Sequence, residues 1–136
     1  MSWLTRLSPV AGALVAASAL AGCSSQADDR AGEAAAAFYA AVAEGEGRAA
    51  CALLTPTTRS EVEKSAGKPC PEGLLEEDVP AVTRTVGVRV YDTMAQVRFA
   101  EDTAFLTRMG DRWRVVAVSC ARQPGDRPYD CQVQGG

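Results

Sequence analysis

The chain predicts an α+β domain in which N-terminal helices pack on a four-stranded antiparallel sheet held by two disulfides. Three observations predict it. Apolar residues recur at helical spacing before residue 80 and at alternating positions after it. The alternating stretches are short and closely spaced, with tight turns between them. Four of the five cysteines fall into two closely spaced pairs.

Ala35, Phe38 and Val42 set a helical stripe over residues 29–44, with Asp28 or Asp29 as cap and Gly45 and Gly47 as stop. Residues 48–54 make a short second helix that turns Cys51, Leu53 and Leu54 toward the core, and Thr55-Pro56 breaks it. Thr58-Arg59-Ser60-Glu61 has the capping-box pattern and opens a third helix that closes at Ala66-Gly67. After the Lys68–Pro71 loop, Glu72–Asp78 adds one more helical turn. From Thr83 the period is two. Val86, Val88 and Val90 form one strand, and Ala95, Val97 and Phe99 a second. Thr103–Met109 is the third, Gly110-Asp111 the turn, and Arg112–Cys120 the fourth. The Pro/Gly-rich tail ends near Tyr129–Val133, in a segment suited to a short edge strand tied back by a disulfide. The order of elements places the helices on one sheet face and leaves the other more polar.

The first residues read as a targeting segment. Arg6 precedes an apolar run from Val10 to Leu20, which is shorter than the about 20 residues a membrane span needs. The run ends in Leu20-Ala21-Gly22-Cys23, the pattern of a bacterial lipobox, whose cysteine thiol carries diacylglycerol and palmitate-type acyl chains. The alternative is an ordinary signal peptide cut nearby, with Cys23 a spare thiol. The expected organisation is a signal peptide over 1–22, a lipidated flexible tether over 23–32 and one domain over 33–136. The expected address is the extracytoplasmic face of the cell membrane, held there by the anchor on Cys23.

Outside the cell, Cys51, Cys70, Cys120 and Cys131 should be oxidised. Four cysteines allow three connectivities. The sequential one, Cys51–Cys70 and Cys120–Cys131, is expected because each pair brackets a short loop with Pro and Gly. A Cys₄ zinc site is the alternative, and it lacks the C-x₂-C spacing. The chain contains no histidine. That removes Ser-His-Asp and Cys-His catalysis and histidine-based metal or haem ligation. The Glu72–Asp78 acidic cluster lacks calcium-loop spacing. No cofactor and no metal is expected.

The helix containing Ala-Ala-Phe38-Tyr39, the segment Cys51-Ala-Leu-Leu and the strand end Gly110-Asp-Arg-Trp113-Arg-Val115 together resemble the nuclear transport factor two-like (SnoaL-like) domains. More narrowly, the chain is similar to small actinobacterial lipoproteins with that cone-shaped, cystatin-like architecture. The likeness covers roughly residues 31–120. It implies a cone whose inside, in the family's isomerases and dehydratases, carries an Asp or His acid-base residue. The fold hosts enzymes and non-enzymes alike. Here Asp92, Glu101, Asp102 and Asp111 all fall at turns, where solvent exposure is expected. The chain is therefore expected not to be an enzyme, with a weak isomerase-like activity the remote alternative.

Two non-catalytic functions follow. A ligand carrier would use a cavity lined by Phe38, Tyr39, Tyr91 and Trp113. The bland alternative makes Trp113 a core residue, Tyr39 half-buried beside Phe38 and Tyr91 a strand residue near a turn. A binding or accessory module would use charge. Residues 23–82 carry a net −6, residues 83–122 a net +3 and residues 123–136 a net −1. Arg89, Arg98, Arg108 and Arg114 would form a cationic sheet face for an envelope protein or anionic polymer. The alternative is a solvated face paired to Glu101, Asp102 and Asp111. The negative overall charge and the extracytoplasmic address argue against nucleic acid.

Overall fold

The computed structural model describes residues 22–135. The signal-peptide segment therefore lies almost wholly outside the described residues. Four helices, α1 (Gly22–Ala43), α2 (Gly47–Leu53), α3 (Pro56–Ala66) and α4 (Cys70–Glu76), precede five strands. These are β1 (Thr85–Tyr91), β2 (Met94–Phe99), β3 (Thr103–Met109), β4 (Arg112–Ala121) and β5 (Asp130–Gln134). The strands form one open antiparallel sheet in the order β1-β2-β3-β4-β5.

The sheet has five strands where four were expected. The fifth is the tail segment, and Cys120 and Cys131 are both register partners and disulfide partners. The Cys51–Cys70 disulfide ties α2 to α4. A Cβ on Gly47 would sit 2.5 Å from the Pro71 carbonyl oxygen, so only glycine lets α2 and α4 approach this closely.

Two helix starts differ from expectation. Residues 24–32, expected as a flexible tether, are part of α1. The stripe set by Ala35 and Phe38 continues back to Ala31, which is fully buried, so the helix has packing to gain by extending. α3 begins at Pro56 and is capped by Thr55, whose hydroxyl accepts from the Thr58 N–H at 3.1 Å. Thr58 is therefore not the cap. Its hydroxyl donates to the Val116 carbonyl at 2.9 Å, which laces α3 to β4.

Alternation decides what each sheet face carries. Val88, Val90, Ala95, Val97, Ala104, Leu106, Trp113 and Val115 turn toward the helices and join Phe38, Leu54, Val62 and Leu74 in the core. The register between β3 and β4 slips at Val116, so Ala117 pairs with Phe105 on the outer face. The carbonyl of Val116 takes the Gly135 N–H at 3.0 Å in addition to Thr58. A smaller outer-face cluster gathers Ala117, Phe105, Tyr129 and the Cys120–Cys131 disulfide, where the tail folds back over the sheet.

Replacing Cys51 and Cys70 together by alanine should lower the unfolding free energy by about 3 kcal/mol on the chain-entropy estimate. Urea denaturation measures it. A change below about 1 kcal/mol would show that the α2–α4 packing holds without the crosslink.

Candidate functional site

The outer sheet face is built from the residues that alternate with the core. Register lines up Gly87, Arg98 and Thr103 in one row, Arg89, Gln96 and Phe105 in the next, and Tyr91, Met94, Thr107 and Arg114 in the third. Met109 and Arg112 close the hairpin end. Arg89 and Arg98 are thus diagonal neighbours on adjacent strands. A Cβ on Gly87 would meet the Arg98 guanidinium at 2.7 Å. The Arg98 guanidinium therefore lies over Gly87 on β1.

Among the described residues the ion pairs are Arg59–Glu63, Lys64–Glu61 and Lys68–Glu76, all on helices or their flanks. Arg89, Arg98, Arg108 and Arg112 are exposed and have no carboxylate partner within that set. The cross-strand pairs to Glu101, Asp102 and Asp111 do not form. Arg114 donates to the Ala52 carbonyl.

Of the four arginines expected on one face, Arg89, Arg98 and Arg114 share it. Arg108 does not. It pairs with buried Trp113 and has the parity of Leu106, so it leaves the sheet on the helix side at the hairpin end. Arg112 belongs to the outer face and was missed, although it lies two residues before Arg114 in the alternation.

Asp102 corrects a second expectation. It is 9% exposed, not solvated, and both its oxygens are engaged. The Tyr39 hydroxyl donates to Oδ2 at 2.5 Å, the Ser119 N–H to Oδ2 at 2.8 Å and the Cys120 N–H to Oδ1 at 3.0 Å. Successive strand amides normally point to opposite sides. Ser119 has φ +55°, and this left-handed residue turns both amides onto one carboxylate. Burial, then the hydrogen bond to Asp102, then the Asp102 charge hold the Tyr39 hydroxyl far above its ordinary value of 10.0. Tyr39 is only 2% exposed, not half-buried, and its hydroxyl is committed to Asp102. Next to Asp102, Glu101 is exposed. The Thr83 hydroxyl (2.5 Å) and then the Thr83 N–H (3.0 Å) hold its carboxyl below the usual range.

The four cavity candidates do not meet in one pocket. Phe38 and Trp113 pack within the core, and Tyr39 stacks edge-on between Phe38 and Phe99. Tyr91 stands 60% exposed at the hairpin end. Tyr39 does line a surface groove of about 210 Å³, with Ala36, Val82, Thr85 and Phe99. Among the described residues no group of His, Cys, Asp or Glu side chains is placed to hold a metal ion. No helix among them is long and apolar enough to cross a membrane. Comparison with protein-family models, with curated proteins and with solved structures finds no match.

Asp102→Ala strands three donors in a buried site and should cost about 3 kcal/mol or more, whereas Tyr39→Phe removes one bond and should cost about 1–2 kcal/mol. Chemical denaturation ranks the two, and the reverse order would contradict the hold of Asp102 on three donors. The pH dependence has a definite sign. Folding raises the Tyr39 value, so the native state keeps a proton that the unfolded state releases above 10.0. The stability this group supplies is complete below that pH and falls as pH rises beyond it. The advantage of the parent over Tyr39→Phe should therefore shrink at alkaline pH, and a constant advantage would show that the hydroxyl is not held as described.

Proposed function

We propose that this chain is an extracytoplasmic lipoprotein, acylated on Cys23, whose domain is a non-catalytic binding module for an anionic partner in the cell envelope. One observation carries the reading. Arg89 and Arg98 are diagonal neighbours on the exposed face and have no counter-charge among the described residues. Two like charges left on one exposed face favour an anionic partner over a neutral one. An acidic protein surface or anionic polymer laid on the face would supply the missing counter-charge. Gly87 fits the reading because it leaves room for the Arg98 guanidinium to lie over β1 on the exposed face.

Two further observations fit. Both disulfides suit an oxidising compartment. The buried carboxylate of Asp102, the residue that most invites a catalytic reading, spends its oxygens on three protein donors. It acts as a staple between α1, the β2–β3 turn and β4. In the cone-shaped family that the sequence resembles, non-enzymatic members use the same scaffold, so the reading needs no departure from that likeness.

Crosslinking in the native envelope, followed by capture of the membrane-extracted protein, tests the proposal. A specific anionic partner should be retained by the parent and lost from Arg89→Glu/Arg98→Glu, with folding intact because both side chains are exposed. Retention should weaken as salt is raised, since exposed charges are screened beyond about 10 Å at 0.1 M. Equal capture by parent and double variant would sink the arginine face as the binding surface.

A further inference from the structure

The arginine face ends at a strand with a free edge. Among the described residues β1 has β2 as its one strand neighbour, so its other side carries backbone groups with no strand to meet them. The register says which groups these are. The Arg108 N–H donates to the Thr93 carbonyl at 2.7 Å, so Thr93 faces β3. By alternation, Met94, Gln96 and Arg98 turn their backbone groups to β1, where Tyr91, Arg89 and Gly87 are their partners. Val88 and Val90 therefore point their N–H and C=O groups outward. Among the described residues no backbone hydrogen bond outside the strand ladders reaches either one. An extended chain fits such an edge, because it offers donors and acceptors at the same repeat.

The two sides of that edge carry opposite charge. On the outer side stand exposed Arg89 and the Arg98 guanidinium, which lies over Gly87. On the helix side, α1 and β1 bound a surface groove of about 410 Å³ lined by Asp28, Asp29, Gly32, Glu33, Thr85 and Val88. Gly32 keeps the helix close to the strand, since an added Cβ would already be 3.4 Å from a Val88 methyl. The three carboxylates take no part in the ion pairs formed among the described residues.

A strand added to β1 would alternate its side chains between the same two sides. Its residues opposite Gly87 and Arg89 would turn to the arginines. The residue between them, opposite Val88, would turn to the acidic groove. Opposite charges on neighbouring strands attract and like charges repel. The edge thus selects acid, base, acid at successive positions. A second copy of this chain fits less well. Antiparallel pairing of two β1 strands, in registers centred on Val88, Arg89 or Val90, sets the two Arg89 side chains directly or diagonally across from each other.

We propose that β1 takes an extended peptide segment of another envelope protein as a sixth strand, and that this segment alternates acidic and basic side chains. The inference rests on the arginine-face reading above and names the chemistry of the partner. Main-chain bonds to Val88 and Val90 hold the segment. Carboxylates on Arg89 and Arg98, with a cation over the groove between them, set its register.

The test uses the mature lipidated protein in phosphatidylcholine nanodiscs and two end-blocked peptides of one composition, Thr-Glu-Lys-Glu-Lys-Glu-Thr and Thr-Glu-Glu-Glu-Lys-Lys-Thr. Titration calorimetry should find the alternating peptide tighter by about tenfold, because two or three cross-strand charge pairs depend on its parity. At saturation the Val88 and Val90 amides should exchange with solvent more slowly. Arg89→Glu/Arg98→Glu should lose the alternating peptide, and Asp29→Lys/Glu33→Lys should weaken it. All four side chains are exposed, so folding is kept. Equal binding of the two peptides, no binding of either, or unchanged exchange at Val88 and Val90 overturns the sixth strand. Protection of those amides without peptide, in a concentration-dependent dimer, overturns it in favour of a second copy. Polyglutamate separates this failure from that of the underlying reading. If the parent binds it and Arg89→Glu/Arg98→Glu does not, while the short peptides bind alike, the arginine face stands and the added strand falls. If the double variant binds polyglutamate as the parent does, the face itself falls and the strand with it.

Discussion

The placement of α1 across the sheet is the constraint on which the rest of this molecule depends. The helix can lie close because the residues facing the sheet include two fully buried alanines, Ala31 and Ala35. It cannot slide, because the Tyr39 hydroxyl is held by Asp102, and Asp102 is held by two amides of β4. The side chain that anchors the helix is thus fixed to the strand that carries the second disulfide. In an interior of low effective dielectric, a carboxylate with three donors is a strong tie, and one left unsatisfied would be a heavy liability. Among the described residues no buried side-chain nitrogen or oxygen lacks a partner, so the tie is complete.

Fixing α1 divides the sheet into unequal faces. The inner face is consumed by the core, with Phe38, Leu74, Leu106, Val97 and Val115 among its fully buried side chains. The outer face receives only partial cover, from Phe105, Tyr129 and the Cys120–Cys131 disulfide, with Gln96 donating to the Tyr129 hydroxyl at 3.2 Å. What remains open is the β1–β2 side with its arginines and the hairpin end with its aromatic and methionine side chains. The recognition surface proposed here is therefore what the packing of α1 and the tail leaves uncovered.

Much of the fold was legible because the physical signals are local. Alternation in Val86–Val90 and Ala95–Phe99, the Gly110-Asp111 turn, and the spacing of Cys51 to Cys70 and Cys120 to Cys131 each depend on neighbours in sequence. The parts that were misread depend on distant partners. Asp102 sits in a turn between two strands, where a carboxylate ordinarily meets water, and nothing nearby reveals that Tyr39, 63 residues earlier, donates to it. Ser119 looks like one more strand residue, and its left-handed backbone makes sense only once Asp102 is in place. Residues 24–30 are small and polar, as a linker would be, yet the stripe through Ala31 carries the helix back through them. Arg108 was expected on the outer face with the other strand arginines. The register with Trp113 shows that its parity is that of the core.

The central claim is that the acyl anchor proposed on Cys23 and the folded domain are mechanically continuous through α1. Hydrogen exchange of the amino-terminal peptide, followed by mass spectrometry on lipidated protein in vesicles, tests it most directly, because one peptide reports both its acyl mass and its amide protection. The account predicts a diacylated Cys23 followed by amides from residue 27 to 32 that exchange as slowly as those around Ala35 and Phe38. Exchange at the rate of unstructured chain over that stretch would contradict it, because the domain would then hang from its anchor with no fixed orientation to the bilayer.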